Sequence, residues 1–362
     1  MRNLLKPSLD WLLALLPAVA LMEYVFHVPE TWLFIASAAA IIPLAKWLGK
    51  ATEHLAAKTS QSIGGLLNAT FGNAAELIIA LIALNAGLRD VVKASLTGSI
   101  IGNLLLVMGA SILWGGLRFK TQKFNETAAR VQATMLTLAA IALIIPAAFH
   151  HIVGARGQRL EAGLSLEISI VLLVTYALGL LFTLGTHRQY FSGQAEEGGH
   201  TQAWSVKKSL VVLSLSTVGI GWISEVLVGS VTGAAEALGM TSIFVGVIVV
   251  GIVGNAAEHS TAIWVARDNK MDLAIGIAIG STIQIALFVA PVLVLASYFL
   301  GPQPMDLVFT TPEILAIGLS IWIAGQISGD GESNWLEGVQ LLAVYIVLAM
   351  TFYFLPEASA GR

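Results

Sequence analysis

The pentapeptide GNAAE occurs twice in this chain, at residues 72–76 and again at residues 254–258. Each copy ends in a glutamate, Glu76 or Glu258, that is the only charged residue in an apolar stretch of 30 residues. A charge in so apolar a segment costs free energy when the segment enters a membrane. Its duplication with the same flanking residues therefore indicates a function rather than a local packing role.

The composition is that of a polytopic membrane protein. Of the 362 residues, 56% are hydrophobic and 11% are charged, and the mean hydropathy is +0.82. Soluble domains carry about 25% charged residues. The net charge of −3 is too small to indicate a nucleic-acid partner, and the lack of cysteine excludes disulfides and thiolate metal sites. We expect no cleavable signal peptide, because the first residues lead directly into an apolar segment.

Runs of about 20 mostly apolar residues predict membrane-spanning helices, so we predict an all-α polytopic membrane protein. The sequence contains eleven such runs. Their approximate limits are 9–26, 32–54, 62–87, 92–116, 129–149, 165–186, 207–230, 241–266, 271–300, 312–328 and 335–355.

Lysine and arginine are unequally distributed between the alternate loops of this arrangement. If the N-terminus is cytoplasmic, the cytoplasmic side carries 14 of the 19 basic residues. Because cytoplasmic loops are enriched in these residues, we predict a cytoplasmic N-terminus and an external C-terminus. An odd number of spans agrees with that orientation.

The two halves of the chain resemble each other beyond the pentapeptide. A Gly-Ser pair follows the motif glycine by 26 residues in both halves, in GSIIGN (98–103) and in GSTIQI (280–285). Upstream, GKATEHL (49–55) matches GWISEVL (221–227) at its Gly, Thr/Ser, Glu and Leu positions. Three matches in the same order indicate an internal repeat.

We therefore predict four parts of the chain. These are an N-terminal extra transmembrane helix (1–31), a first five-helix repeat (32–186), a cytoplasmic linker (187–206) and a second five-helix repeat (207–362). Because each repeat has an odd number of spans, the second would enter the membrane from the opposite side. Inverted repeats of this kind are typical of secondary transporters with a site near the membrane midplane.

The motif places its polar side chains on one face of a helix. Asn73 and Glu76 are three residues apart, as are Asn255 and Glu258, so each pair shares a face. The glycine and alanine residues let a partner helix approach closely. A local break at the glycine would also free backbone carbonyl oxygens as ligands.

Two copies of the motif would together form an all-oxygen site of formal charge −2, which suits a hard cation such as Ca²⁺. Softer metals would favour Cys, Met or several His ligands. Without a metal, two close and poorly solvated carboxylates favour protonation, so metal and protons compete for the same oxygens. The predicted metal ligands are Glu76, Glu258, Asn73, Asn255, Gly72 and Gly254, of which the two glutamates also bind protons.

Two further acidic residues are candidates for proton binding. Glu225 lies within an otherwise apolar part of its helix. Its repeat counterpart Glu53 is beside Lys50 and His54, so an interfacial ion pair is an equally good interpretation.

Five polar residues could support the site from neighbouring positions. A serine in a membrane helix often bonds only its own backbone carbonyl, and a lone histidine there is more often an interface residue than a ligand. These candidates are Ser99, Asn103, Ser281, Gln284 and His259.

The motif segments resemble those of a known family, the calcium/proton exchangers (CAX) of the cation/calcium exchanger superfamily. GGLLNATFGNAAELIIAL (64–81) and GNAAEHSTAIWVA (254–266) resemble its two signature segments. GSIIGNLLLVMG (98–109) and GSTIQIALFVAP (280–291) resemble the helices that follow them. The resemblance implies two inverted five-helix repeats after one extra helix, with Glu76 and Glu258 as the carriers of calcium and protons.

The resemblance also implies a function. It implies a secondary antiporter, not an enzyme, that exports Ca²⁺ from the cytoplasm in exchange for H⁺ and needs no cofactor. A compact chain of this kind is expected in a prokaryotic plasma membrane. The sequence does not decide whether the chain forms a homo-oligomer. Three alternatives also stay open: a Na⁺-coupled calcium exchanger, a calcium channel and an intramembrane protease. The lack of an Asp dyad argues against the protease.

Overall fold

The computed structural model describes residues 9–191 and 204–356, and α-helices dominate this part of the chain. The centre of the predicted linker and the last six residues lie outside the described residues. The predicted all-α class is confirmed. The described β-structure is one antiparallel pair of two-residue strands, β1 (Gln122–Lys123) and β2 (Glu332–Ser333).

Residues 9–191 form eight α-helices, several of which continue into short π-helical or 3₁₀ turns. Met22–Phe26, Gly102–Val107 and Phe182–Thr186 are π-helical. The α-helices are α1 (Leu15–Leu21), α2 (Glu30–Ala56), α3 (Gln61–Phe71), α4 (Ala74–Asn85), α5 (Arg89–Ile101), α6 (Met108–Gly116), α7 (Glu126–Val153) and α8 (Gln158–Leu181).

Residues 204–356 form seven α-helices and two π-helical segments. Val245–Val250 joins α10 to α11, and Ile285–Val289 joins α12 to α13. The α-helices are α9 (Val206–Ala237), α10 (Ser242–Phe244), α11 (Gly251–Arg267), α12 (Met271–Gln284), α13 (Ala290–Ala296), α14 (Thr311–Ile327) and α15 (Trp335–Phe354).

Length and composition allow eight of the described helical segments to cross a membrane. The number rises to ten if each of two bent helix pairs is one span; these pairs are Ile63–Phe71 with Ala74–Asn85 and Ser242–Ala256 with Glu258–Arg267. The apolar α14 is shorter, at 17 residues. Each of the eleven predicted segments coincides with one of these units, but eleven spans remain a prediction.

Contacts between loops place three connections at the same end of the helical bundle. Strands β1 and β2 pair there, which joins the α6–α7 loop to the α14–α15 loop. The Asn125 backbone N–H donates to Asp272 Oδ1 at 2.5 Å, and its side-chain amide donates to the Tyr190 carbonyl at 3.1 Å. We call this end, which also carries the predicted linker, the linker end.

The interior contains two hydrophobic clusters. The smaller one joins α1, α2 and α9 and extends to Ala75, Ile79 and Val91. The larger one joins most of the remaining helices. The outward surface is also apolar: Leu215 is 67% exposed and Trp322 is 65% exposed. A protein with exposed aliphatic and aromatic residues around its whole perimeter is suited to a lipid environment.

Small residues allow two helices to touch beside the duplicated motif. A Cβ atom on Gly251 of α11 would lie 2.7 Å from the backbone carbonyl carbon of Gly98 in α5. A Cβ atom on Gly98 would in turn clash with the Val247 backbone. These glycines bring the second motif helix against the helix that follows the first motif, as expected for close helix packing in membranes.

Candidate cation-binding site

Both copies of the motif lie at bends in the chain. Helix α3 ends at Phe71, α4 begins at Ala74, and the two helices meet at an angle of 41°. Asn73 is the N-cap residue of α4 (φ −101°, ψ 27°), and Glu76 lies in its first turn. The second motif lies within α11, where the segments Ser242–Ala256 and Glu258–Arg267 meet at an angle of 66°. Both motifs therefore contain a bend, but only the first bend lies at the motif glycine, because the second lies between Ala256 and Glu258.

Each motif glycine leaves room for the carboxylate of the other motif. A Cβ atom on Gly254 would lie 3.2 Å from Glu76 Cγ and 3.3 Å from Glu76 Oε1. A Cβ atom on Gly72 would lie 3.6 Å from Glu258 Oε1 and 3.3 Å from Gln284 Oε1. The two bent segments thus cross with each glutamate against the opposite glycine.

The two carboxylates lie in the interior and face one another. Glu76 is 9% exposed, Glu258 is partly buried, and their charges repel. Among the described residues, Glu76 Oε2 and Glu258 Oε2 have no hydrogen-bond partner although both atoms are buried. Burying an unpaired carboxylate oxygen is costly, so these two atoms are free to bind a proton or a cation.

The motif asparagines bind serines from the opposite repeat. Ser281 Oγ donates to Asn73 Oδ1 at 2.9 Å, and Asn255 Nδ2 donates to Ser99 Oγ at 3.0 Å. Asn255 Nδ2 also donates to the Gly251 carbonyl at 3.1 Å, which leaves its buried Oδ1 unpaired among the described residues. Ser99 and Ser281 therefore occupy equivalent positions in the two repeats, and each contacts a motif asparagine.

A further set of polar contacts has no equivalent at the corresponding positions of the other repeat. Asn73 Nδ2 donates to Gln284 Oε1, and Asn103 Nδ2 donates to Ser281 Oγ at 3.0 Å. His259 Nε2–H donates to Asn103 Oδ1 at 3.1 Å.

The residues at the equivalent repeat positions cannot make these contacts. They are Gly102 for Gln284, Ile285 for Asn103 and Leu77 for His259. His259 is 8% exposed and is joined to the cluster through Asn103.

The remaining two predicted proton-binding residues lie outside this hydrogen-bonded cluster. Glu53 is exposed near the end of α2, where Lys50 and His54 attract its charge. Glu225 is exposed on α9 and lines a cleft of about 680 Å³ beside the last turns of α4. The structure therefore separates these two acids from the pair Glu76 and Glu258.

Two further glutamates, outside the cluster, are buried and bond to neighbouring residues. Glu313 is 2% exposed and its Oε2 accepts from the Thr310 backbone N–H at 2.8 Å, completing a capping box at the start of α14. The T-x-x-E pattern before an apolar run could have revealed it. Glu161 is 5% exposed, and its Oε1 lies 3.0 Å from His150 Nδ1.

The chemistry of the cluster is that of a hard-cation site. Its side chains present carboxylate, amide and hydroxyl oxygens, and no Lys or Arg side chain bonds to it in the described part of the chain. In that part, no three His, Asp or Glu side chains converge, so a bound cation would need neutral oxygens as well. Fold and cluster together define a polytopic membrane protein in which two bent helical segments cross at a cluster of carboxylate, amide and hydroxyl oxygens.

Comparison with known proteins identifies the family. The sodium/calcium exchanger protein family matches this chain twice, over residues 29–185 and 208–354. The chain belongs to this family and, within it, to the calcium/proton exchangers, which confirms the predicted membership.

Two relatives show how closely the sequence matches that branch. A protein of Aphanothece halophytica named Ca²⁺/H⁺ antiporter is 47% identical over 97% of this chain and 98% of its own length. The Ca²⁺/H⁺ antiporter ChaA of Bacillus subtilis is 48% identical over 91% of this chain and 94% of its own. Both relatives are named as antiporters and neither as an enzyme.

Solved structures agree with the fold. The structure of native YfkE superposes with a TM-score of 0.83 at 43% identity, covering 96% of this chain and all of that one. The H⁺/Ca²⁺ exchanger CAX superposes with a TM-score of 0.71 at 16% identity over 95% of this chain and 91% of its own. At that identity the second match supports the fold alone.

Proposed function

We propose that this protein is a secondary antiporter that exchanges Ca²⁺ for H⁺ at Glu76 and Glu258. The carrying observation is the reciprocal crossing of the two motifs, which brings together two buried carboxylates that each have an unpartnered oxygen. Asn73, Asn255 and the backbone carbonyls of Gly72 and Gly254 supply neutral oxygens beside them. Calcium accepts six to eight oxygen ligands in flexible geometry, which fits this mixed set.

Competition between cation and proton supplies the coupling. With both carboxylates ionised, the site attracts a divalent cation and is balanced by its charge. With both protonated, the site is neutral and releases the cation. The doubly charged empty site is costly to enclose in an apolar interior, so reorientation without cation or protons is disfavoured.

The internal repeat provides the route to alternating access. Residues 32–186 and 207–362 would form two inverted repeats that expose the same site to each side in turn. Support comes from the double family match and from the π-helical segments Gly102–Val107 and Ile285–Val289, which lie at equivalent repeat positions. The hydrophobic cluster that joins α1, α2 and α9 also includes Ala75 and Ile79 of α4, so a movement of these helices would reach the first motif.

The proposed direction is export from the cytoplasm across a prokaryotic plasma membrane, with the linker end inside. The excess of basic residues at that end supports this orientation. The chain has no cysteine, so one introduced thiol can be labelled selectively.

We expect Lys58→Cys to react with an impermeant maleimide only in inside-out vesicles. Asp90→Cys, at the opposite end of the helical bundle, should react only in intact cells. The reverse pattern would contradict the orientation.

Glu225 is proposed to relay protons through the cleft between α4 and α9. Its exposure to the cleft supports a transient role, in contrast to the buried pair. We expect Glu225→Gln to slow transport about tenfold, about 1.4 kcal/mol on the barrier, without weakening equilibrium Ca²⁺ binding. Glu236→Gln, an exposed glutamate on the same helix, is the matched control. Unchanged rates in both variants would assign Glu225 no part in the cycle.

Glu53 is proposed to relay protons at the linker end. A normal transport rate for Glu53→Gln would exclude this role.

Gradient-driven uptake tests the function itself. Inside-out vesicles with an acidic interior should accumulate Ca²⁺ in sodium-free buffer and lose it when the pH gradient is collapsed. Uptake that follows a sodium gradient at constant pH would favour the sodium-coupled alternative. Flux that is insensitive to both gradients and far faster than a conformational cycle would favour a channel.

A further inference from the structure

A group of cationic and aromatic side chains lies at the linker end, apart from the proposed cation site. Trp47, Lys50 and His54 come from the last turns of α2, Trp204 immediately precedes the N-cap of α9, and Lys207 and Lys208 lie in the first turn of α9. We call these six residues the basic–aromatic patch. None of them takes part in the hydrogen bonds of the proposed cation site.

The rings of the patch are stacked in order. Trp204 lies against Trp47 with 5.7 Å between ring centroids and against His54 with 4.4 Å. Lys208 Nζ is 4.2 Å from the Trp204 centroid, and Lys50 Nζ is 5.6 Å from the Trp47 centroid. Both ammonium groups therefore lie over aromatic rings, which is a cation–π arrangement.

The positive charge of the patch is incompletely balanced. Neighbouring Lys46 is paired with Asp10 at 2.8 Å, and Asp10 also accepts from Trp47 Nε1 at 3.1 Å. Lys50, Lys207 and Lys208 are exposed and make no salt bridge among the residues that the structure describes; the charge of nearby Glu53 is attracted to Lys50 and His54.

The helix terminus adds to this positive field. The first turn of α9 contains no acidic residue, although a helix N-terminus favours negative charge. Two lysines in that turn are unfavourable for the helix alone and favourable once an anion is bound.

The surroundings of the patch indicate the form of that anion. Val206 and Leu210, within the first turns of α9, are 46% and 47% exposed. An apolar surface directly beside three exposed ammonium groups fits a molecule with a negative head and an acyl tail. Tryptophan is typical of the headgroup level of a membrane, where lysine reaches toward anionic lipids.

We propose that the basic–aromatic patch binds the phosphate headgroup of an anionic phospholipid. The headgroup bridges Lys50 on α2 and Lys207 and Lys208 on α9, while the acyl chains pack against Val206 and Leu210. Because α2 and α9 belong to the same hydrophobic cluster, one bound lipid ties their linker-end termini together. This inference rests on the patch alone and does not depend on which ion the protein transports.

Thermal unfolding in detergent tests the proposal with defined lipids. Phosphatidylglycerol should raise the unfolding midpoint of the unmodified protein by about 3 °C or more, and phosphatidylcholine of the same chain length should not. Inorganic phosphate at the same concentration should have no effect, because it lacks the acyl chains. Equal stabilisation by both lipids, or by inorganic phosphate, would overturn the proposal.

Variants locate the effect on the surface. Lys207→Gln/Lys208→Gln should lose the response to phosphatidylglycerol. Lys120→Gln/Lys123→Gln is the matched control, since it removes two exposed lysines from another loop at the linker end. Retention of the response by the first variant, or its loss in the control, would contradict the assignment.

Native mass spectrometry of the unmodified protein gives a test that does not depend on how the variants fold. We expect one phosphatidylglycerol per chain to survive at an activation energy that removes phosphatidylcholine. Equal survival of the two lipids would overturn the proposal.

Discussion

Replacing Glu258 with glutamine should abolish Ca²⁺ accumulation driven by a pH gradient. The amide keeps the size of the side chain but cannot exchange a proton or supply a negative charge to the cation. Removing one of two carboxylates should also weaken equilibrium Ca²⁺ binding about 100-fold, about 2.7 kcal/mol. The measurement is ⁴⁵Ca²⁺ uptake and equilibrium binding on the same preparation.

Glu76→Gln should have the same effect, because each carboxylate packs against the glycine of the other motif. The matched control is Glu167→Gln, which neutralises an exposed glutamate on α8. Uptake near the unmodified level in Glu76→Gln or Glu258→Gln, with the control also normal, would show that the pair does not carry the transported charge.

Adding one methyl group at Gly254 should have the second largest effect. A Cβ atom at this position lies 3.2 Å from Glu76 Cγ and 3.3 Å from Glu76 Oε1, closer than ordinary van der Waals contact. Because Glu76 must move to admit it, Gly254→Ala should weaken Ca²⁺ binding about tenfold, about 1.4 kcal/mol. Isothermal titration at fixed pH measures this change.

Gly280, in the same repeat as Gly254, offers the control for this variant. At Gly280, a Cβ atom would meet nothing within 4 Å, so Gly280→Ala should bind Ca²⁺ normally. Unfolding midpoints for both variants separate a local effect on the site from loss of the fold. Equal Ca²⁺ affinities in the two variants would mean that the crossing of the motifs does not shape the site.

The sequence was informative wherever the repeat preserved a residue. The duplicated motif, the equal spacing to Ser99 and Ser281 and the isolated glutamates together predicted which helices meet. The structure places both serines on the motif asparagines. These contacts could be anticipated because symmetry-related positions must serve the same helix crossing.

The sequence was less informative where the repeats differ. The path from His259 through Asn103 to Ser281 depends on how two helices rotate, and neither residue has a polar counterpart to indicate a contact. Glu161 shows the same difficulty, because its burial depends on where the α7–α8 connection folds. Its partner His150 lies 11 residues away, beyond the reach of a helical pattern.

Glu53 and Glu225 show a further limit of symmetry. Their positions are equivalent in the repeat, yet Glu53 lies beside basic residues and Glu225 lines a cleft. The pairing of residues across a repeat predicts a shared fold position, but the neighbouring loops determine what each side chain meets.

Proton release on Ca²⁺ binding tests the central claim most directly. When Ca²⁺ binds to groups that are partly protonated, it must displace those protons, and its affinity must rise with pH. We predict that adding Ca²⁺ to the purified protein in weakly buffered solution releases protons, up to two per Ca²⁺ and fewer as pH rises. The release should disappear in the Glu76→Gln/Glu258→Gln double variant. Ca²⁺ binding by the unmodified protein with no proton release at any pH would contradict the account.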